Sequence, residues 1–454
     1  MDSYMEKRSQ FSSRLGFVLA AAGSAVGLGN IWRFPYLTAK YGGGMFLLVY
    51  ILLTVTFGFT IMIAEIAIGR KTRFSPIGAY QKLNHKYKFI GVITALIGFL
   101  ILSYYTVIGG WVIKYLIEFI TGKHAQAAQD SFFPNYAAQT SEPILWQLLF
   151  VAVTGAIVFF GVKNGIERVS RFLMPVLILL SIGIAVYSVT LPGAGEGVKY
   201  FLIPHLSDFS VQTILAALGQ MFYSLSLAMG IMITFGSYLS TETDLEKSVA
   251  QIEIFDTVIA IVAGLMIVPA VFAFSGGDRQ ALNAGPSLMF VTLPKVFERM
   301  GMSTFIGSVF FLLVLLAALT SAISLMEACV STFCDNFKIS RHFSVVITTI
   351  VIFLLGIPSS LGFGLWDNIK LLGFNILDFM DFITNSLLMP VVALLTCIFV
   401  AYVIKTKIIV DEVKLSSDFH REKLFTVMIK YIAPICIVAI LVTSILDAFG
   451  IIKI

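Results

Sequence analysis

The stretch AAAGSAVGLGNIWRFPYLTAKYGGG, Ala20 to Gly44, sets two rules against each other. It is apolar enough to open a membrane helix, yet it carries Gly23, Gly27, Gly29 and the run Gly42 to Gly44, with the amide Asn30 near its middle. Glycine is a poor helix former, and hydrocarbon offers no water to an unsatisfied backbone group. Such a segment survives in a membrane only where its freed backbone is buried in protein or lines a cavity. The stretch therefore predicts a broken span around AVGLGN, 25 to 30.

The composition around it agrees. Of 454 residues, 58% are hydrophobic and 13% charged, against about 25% charged in a soluble globule, and the mean hydropathy is +0.92. Repeated apolar stretches near the roughly 20 residues that cross a bilayer predict an all-α polytopic membrane protein whose first partner is the lipid bilayer. The net charge of +5 then belongs to loops at a membrane surface and implies no nucleic-acid partner. Cys329, Cys334, Cys397 and Cys436 lie in or beside the apolar segments without a CxxC pair, as packing residues do. The first apolar segment runs into Asn30 and Arg33 without a small-residue cleavage site, so it reads as a retained span and not a signal peptide.

Eleven spans are predicted, at 12–37, 44–70, 89–121, 144–161, 169–190, 211–238, 249–275, 303–335, 341–358, 374–404 and 428–450. Basic residues gather at Lys71, Arg73, Lys82, Lys86 and Lys88, at Lys163, Arg168 and Arg171, at Lys338 and Arg341, and between Lys405 and Lys423. The connection after Lys123 holds Asp130 and Glu142 and no further base. All the clusters fall on one side if the N-terminus is cytoplasmic, and an odd span count then leaves the C-terminus outside.

A second interruption, YSLSLAMGIM at 223–232, sits in the sixth span. It lies five spans after the first break, at the same ordinal position in a second half. Five is odd, so the second half enters the membrane from the opposite side. The pattern is that of an inverted repeat with a site at broken helices near the midplane. The expected organisation is a segment 1–11, a first five-helix unit 12–190, a second five-helix unit 211–404 and an eleventh helix 428–450. Transport is the leading function on this pattern alone.

A break at Gly27 and Gly29 exposes amide donors on one half-helix and carbonyl acceptors on the other, which suit a carboxylate and a dehydrated cation respectively. Asn30 adds a side-chain oxygen, and Ser224 and Ser226 lie at the equivalent break. Asp256, deep in the seventh span, can supply the charge a sodium ion needs. Glu65 reads as a structural carboxylate bonded to the amides of a broken helix. In the eighth span Ala317, Thr320 and Ser321 lie on adjacent faces, so a carbonyl and two hydroxyls can converge on an ion, although such hydroxyls often only bond their own helix. Tyr105 can reach a substrate carboxylate and Tyr223 can cover it. Arg33 can meet Asp378 or Asp381 at one mouth, and Arg8 can meet Asp335 at the other. His85, His124, His205, His342 and His420 are scattered in or near loops, which argues against an enzyme.

The motifs GSAVGLGNIWRFPYLTAKYGGG (23–44), AEIAIGR (64–70), GQMFYSLSLAMG (219–230), AGPSLMFVTLP (284–294) and LTSAISLMEA (319–328) occur in order. On them the chain closely resembles the neurotransmitter:sodium symporter family, in particular its bacterial eleven-span amino acid transporters. The resemblance implies a first sodium site of Ala25, Asn30, Ser224 and Asp256 completed by the substrate carboxylate, and a second of Gly23, Val26, Ala317, Thr320 and Ser321. It implies a substrate held by the Leu28 and Gly29 amides and the Tyr105 hydroxyl. Ala25, Ile101, Tyr223, Ser224, Ser226, Met229, Ser321 and Leu325 would shape the rest of the pocket. The outer gate would be Arg33 with Asp381 and the inner gate Arg8 with Asp335.

Three departures refine the expectation. Chloride-dependent animal members carry a serine one turn after an asparagine in span seven, where this chain has Ala260 after Asp256, so chloride independence is expected. Short loops, and no twelfth span before Ile454, argue against a eukaryotic protein. No aspartate stands at Gly27 or Gly29, as it would in monoamine carriers, so a whole amino acid is expected. The resulting expectation is sodium-coupled symport of neutral hydrophobic or aromatic L-amino acids, with two sodium ions and no obligatory protein partner. The expected location is a bacterial inner membrane, with the N-terminus in the cytoplasm. A non-transporting amino acid sensor of the same fold is the alternative.

Overall fold

The computed structural model describes residues 9–276 and 287–448. Arg8 and residues 284–286 of the fourth motif lie outside the described residues. Among the described residues nine helices are long and apolar enough to cross a membrane: Gly44–Thr72, His85–Ile120, Glu142–Phe159, Val162–Val189, Leu245–Ser275, Ser303–Phe337, Arg341–Leu361, Ile376–Val403 and Glu422–Leu446. They correspond to predicted spans two to five and seven to eleven. Arg14–Ala25 and Gly29–Lys40 form a further span bent by 52°. The remaining predicted span, 211–238, is divided into Val211–Ser224 and Ile231–Ser237. The chain is thus an all-α multi-pass membrane protein, broken at both places where the sequence departs from helical rules.

Burial sorts the spans into centre and rim. In span eight 72% of the most apolar window is buried and in span three 67%, against 33% in span eleven, so three and eight pack at the centre and eleven on the edge. The rim presents apolar side chains outward, with Phe172 69%, Leu179 70% and Ile435 70% exposed. A helix that is hydrophobic all round needs lipid or protein on every face. The packing also repeats between the halves. Span two lies against span six, and span seven, its counterpart, lies against span one.

Span seven begins four residues earlier than predicted, at Leu245, because the Asp244 side chain caps it by accepting the Lys247 N–H at 3.0 Å. Asp256 therefore lies about 17 Å along the helix, fully buried, and not at a helix start.

The glycine run also finds its reason. A Cβ on Gly43 (φ +55°) would stand 2.1 Å from the Tyr200 carbonyl oxygen, and one on Gly44 would stand 2.4 Å from the Ile203 carbonyl carbon. The turn between spans one and two is a bare seat for the connection between spans five and six. That connection is fastened by the Tyr200 hydroxyl donating to the Ala39 carbonyl at 2.7 Å and by Thr213 donating to Tyr41 at 3.1 Å.

Candidate site between the two broken helices

Span one stops where Val26 leaves helical geometry (φ −77°, ψ 89°), its N–H still bonded to Ala22. The chain resumes as a wide helical turn at Gly29–Arg33, with the Asn30 N–H donating to the Gly27 carbonyl at 3.2 Å. Span six stops at Ser224, and three positions in the following segment have positive φ: Ser226 at 55°, Ala228 at 60° and Gly230 at 85°. Left-handed backbone at a non-glycine residue costs roughly 1–2 kcal/mol and persists only when the surroundings hold it. Here Glu65 supplies that hold. Its fully buried carboxylate accepts the Ala228 N–H at 2.9 Å, in line with the structural role predicted for it. The two breaks face each other: Ser226 donates to the Ser24 carbonyl at 3.0 Å, and the Ser24 hydroxyl donates to Ser226 Oγ at 3.1 Å.

Asp256 closes the first cluster. Its Oδ1 accepts from Ser224 Oγ at 2.7 Å and from Asn30 Nδ2 at 2.8 Å, and its Oδ2 accepts from the Tyr50 hydroxyl at 2.6 Å. Asn30 Oδ1 in turn accepts from the Gly27 N–H at 3.4 Å and from Ser224 at 3.3 Å. All four side chains are buried. Such a carboxylate is tolerable at this depth only because donors from three other spans converge on it. Tyr50 is a residue that sequence reasoning missed, since the run GMFLLVYILL gives its ring no polar neighbour. Gln220, whose Nε2 donates to the Gly29 carbonyl at 3.0 Å, and Ser24 were also missed, although both stand inside quoted motifs as polar residues in apolar surroundings.

The second cluster joins span one to span eight. Ser321 Oγ donates to the Ser24 carbonyl at 3.0 Å and to the Gly23 carbonyl at 3.4 Å. Thr320 Oγ1 donates to its own helix, at the Ala317 and Leu316 carbonyls, and a Cβ added to Gly23 would lie 3.2 Å from Thr320 Cβ. Gly23, Ala317, Thr320 and Ser321 are thus adjacent, with Val26 one residue beyond the end of the helix. Both clusters offer neutral oxygens with at most one carboxylate, a donor set that suits a hard cation. Among the described residues no group of three or more His, Cys, Asp or Glu converges as a transition-metal site would require.

Between the clusters lies one cavity. Ala25, Leu28, Gly29, Ile101, Tyr105, Tyr223, Ser224, Ser226, Met229, Ser321 and Leu325 all line it, joined by Ser24, Gly27 and Ile231. The Tyr105 hydroxyl is buried without a well-formed hydrogen bond, its nearest polar neighbours being Ser321 and the Leu28 backbone. A buried hydroxyl without a well-formed hydrogen bond at the wall of a cavity is an open seat for a polar ligand group. The walls supplied by Ile101, Met229 and Leu325 are apolar.

The predicted mouths are arranged differently from a pair of direct ion contacts. Arg33 lies over the Tyr223 ring, 5.3 Å from its centroid, and among the described residues it makes no ion pair within 4.0 Å. Asp381 is occupied by Tyr104 at 3.0 Å and Asn385 at 2.6 Å, while Asp378 is bonded to Asn375. Arg33 and Asp381 thus act on each other electrostatically without a direct contact. At the other mouth Asp335 accepts the Ser75 N–H at 2.6 Å. Its predicted partner Arg8 lies outside the described residues.

Comparisons place this architecture among known proteins. A family model described as the sodium:neurotransmitter symporter family matches residues 8–135 and 135–450. The chain is 37% identical over 444 residues to the sodium-dependent transporter YhdH of Bacillus subtilis, covering 96% of this chain and 97% of the relative. It is 35% identical to a sodium-dependent transporter of Haemophilus influenzae, covering 98% and 100% of the two chains. The crystal structure of MhsT in complex with L-phenylalanine is similar at 41% identity and a TM-score of 0.87, over 96% of this chain and 100% of that one.

Proposed function

The chain belongs to the sodium:neurotransmitter symporter family, and from that premise we propose that it carries a hydrophobic or aromatic L-amino acid across a bacterial plasma membrane together with sodium. It is a sodium-dependent transporter and not an enzyme. The observation that carries the substrate reading is the continuity of cavity and acid cluster: Ser224 lines the cavity and also donates to Asp256 at 2.7 Å. A substrate carboxylate seated on the Leu28 and Gly29 amides and the Tyr105 hydroxyl would share one sodium ion with Ala25, Asn30, Ser224 and Asp256. A second ion would be held by Gly23, Val26, Ala317, Thr320 and Ser321. The apolar wall suits a side chain like that of the L-phenylalanine bound to MhsT.

Asp256 supplies a fixed negative charge beside the first ion, and Ala260 one turn later offers an anion no hydroxyl, so transport is independent of chloride. The halves 12–190 and 211–404 act as the two repeats around the site, with the N-terminus in the cytoplasm. Arg33 and Asp381, closing over Tyr223, form the outer gate. Arg8 and Asp335 form the inner one. Sodium and amino acid together stabilise the occluded state, and differential binding on the two sides drives the exchange. The membrane potential adds about 2.3 kcal/mol per charge per 100 mV. Uptake of single amino acids into proteoliposomes, with sodium, lithium, chloride and pH varied one at a time, tests the reading. Binding without accumulation would assign the chain a sensor role instead.

A further inference from the structure

Span seven carries more buried carboxylate than the sodium site uses. Glu246, Glu253 and Asp256 stand at positions i, i+7 and i+10, which share one helix face, and all three are buried. Glu253 is 3% exposed. Its Oε2 lies 3.5 Å from Arg421 Nη1, and its Oε1 has no hydrogen-bond partner. Asp256, one turn further along, acts on it electrostatically. Arg421 comes from the connection between spans ten and eleven, with its guanidinium over the Phe59 ring at 4.6 Å. Its backbone is pinned to the start of span seven, where Glu246 accepts the Arg421 N–H at 3.0 Å and the His420 N–H at 2.8 Å.

A lone 3.5 Å contact is a thin return for keeping a carboxylate out of water. The arrangement has a polarity, however: Glu253 is the member of the pair on the Asp256 side, and Arg421 is anchored two turns further away at Glu246. We propose that Glu253 and Arg421 set the sodium affinity of the Asp256 site through their charges, without touching the ion. The inference rests on the reading of Asp256 as a sodium-site carboxylate. Residues three apart on a helix lie about 5–6 Å apart at Cβ. At an effective dielectric near 20, one unit charge within about 10 Å of a cation shifts its affinity by roughly tenfold or more.

The test is equilibrium binding of radioactive sodium to the purified full chain, without amino acid. Glu253→Gln is expected to weaken sodium binding roughly tenfold, and Arg421→Gln to strengthen it roughly threefold or more. The double variant should return to within about threefold of the parent, and Arg421→Lys, which keeps the charge, should match the parent. A merely structural clasp would make both single variants weaker, and that result overturns the proposal. So does the absence of any change in either variant while Asp256→Asn weakens or removes the binding component assigned to the first site. Unchanged binding in Asp256→Asn would instead remove the site reading itself. If Glu253→Gln does not give folded protein, the contrast between Arg421→Gln and Arg421→Lys carries the sign test.

Discussion

Gly27 is one of two positions, with Gly29, where the proposed pocket has no room for a side chain. A Cβ built there would lie 2.6 Å from Ser321 Oγ, 3.4 Å from the Tyr105 hydroxyl and 3.5 Å from Ser321 Cβ. Only the first distance is impossible. Gly27→Ala must therefore push the Ser321 hydroxyl off the Ser24 and Gly23 carbonyls, which it meets at 3.0 and 3.4 Å. Overpacking of this kind costs about 1–3 kcal/mol, and each lost hydrogen bond adds about 0.5–1.5 kcal/mol. Gly27 and Ser321 both line the cavity, so the added methyl and the displaced hydroxyl compete with the ligand for space. With about 1.4 kcal/mol of this cost falling on the occupied pocket alone, affinity for L-phenylalanine in the presence of sodium should fall about tenfold. Ser321→Ala removes the clashing oxygen and leaves only ordinary contacts. In that background Gly27→Ala should cost much less, giving a coupling of about 1–3 kcal/mol. Equilibrium binding of radiolabelled L-phenylalanine to the purified parent, both singles and the double completes the cycle. Additive penalties would show that Gly27 and Ser321 do not meet as described, and would refute the pocket geometry.

Tyr50→Phe strips one donor from Asp256 Oδ2, a charge-assisted bond worth about 1.5–3 kcal/mol; the thermal midpoint should drop and sodium should protect less, whereas an unchanged midpoint and sodium response would remove Tyr50 from the cluster. Ala228→Gly relieves a φ of 60° while keeping the N–H that Glu65 accepts, so it should raise stability by up to about 1 kcal/mol in a thermal-shift measurement; a loss would mean the methyl is needed for packing. Gly43→Ala drives a Cβ to 2.1 Å from a backbone oxygen that cannot rotate away, so it should destabilise by more than about 1 kcal/mol in the same measurement, and a neutral outcome would contradict the close seat of the connection between spans five and six.

Much of this architecture is legible in sequence because the bilayer imposes simple rules. Length and apolarity locate the spans, and glycine or serine where hydrocarbon should stand locates the breaks. Asp256 and Glu65 announce themselves because a carboxylate at that depth must have partners. What the sequence hides is which partners. The Tyr50 hydroxyl reaches Asp256 across 206 positions, a juxtaposition made by the packing of span two on span seven and marked by nothing in the run of residues around it. The mouths were harder still. Opposite charges on different spans suggest pairing, yet Arg33 is held over an aromatic face and Asp381 by two neutral donors, an outcome decided by side-chain geometry. The glycine run at 42 to 44 reads as a turn, and only its contact with Tyr200 and Ile203 shows why side chains are excluded there.

The most direct test is uptake of radiolabelled L-phenylalanine into proteoliposomes under an inward sodium gradient with a negative interior. The expected result is accumulation above the external concentration, abolished when sodium is replaced by choline and unaffected when chloride is replaced by gluconate. Accumulation that persists without sodium, or saturable binding with no accumulation under the gradient, would contradict it.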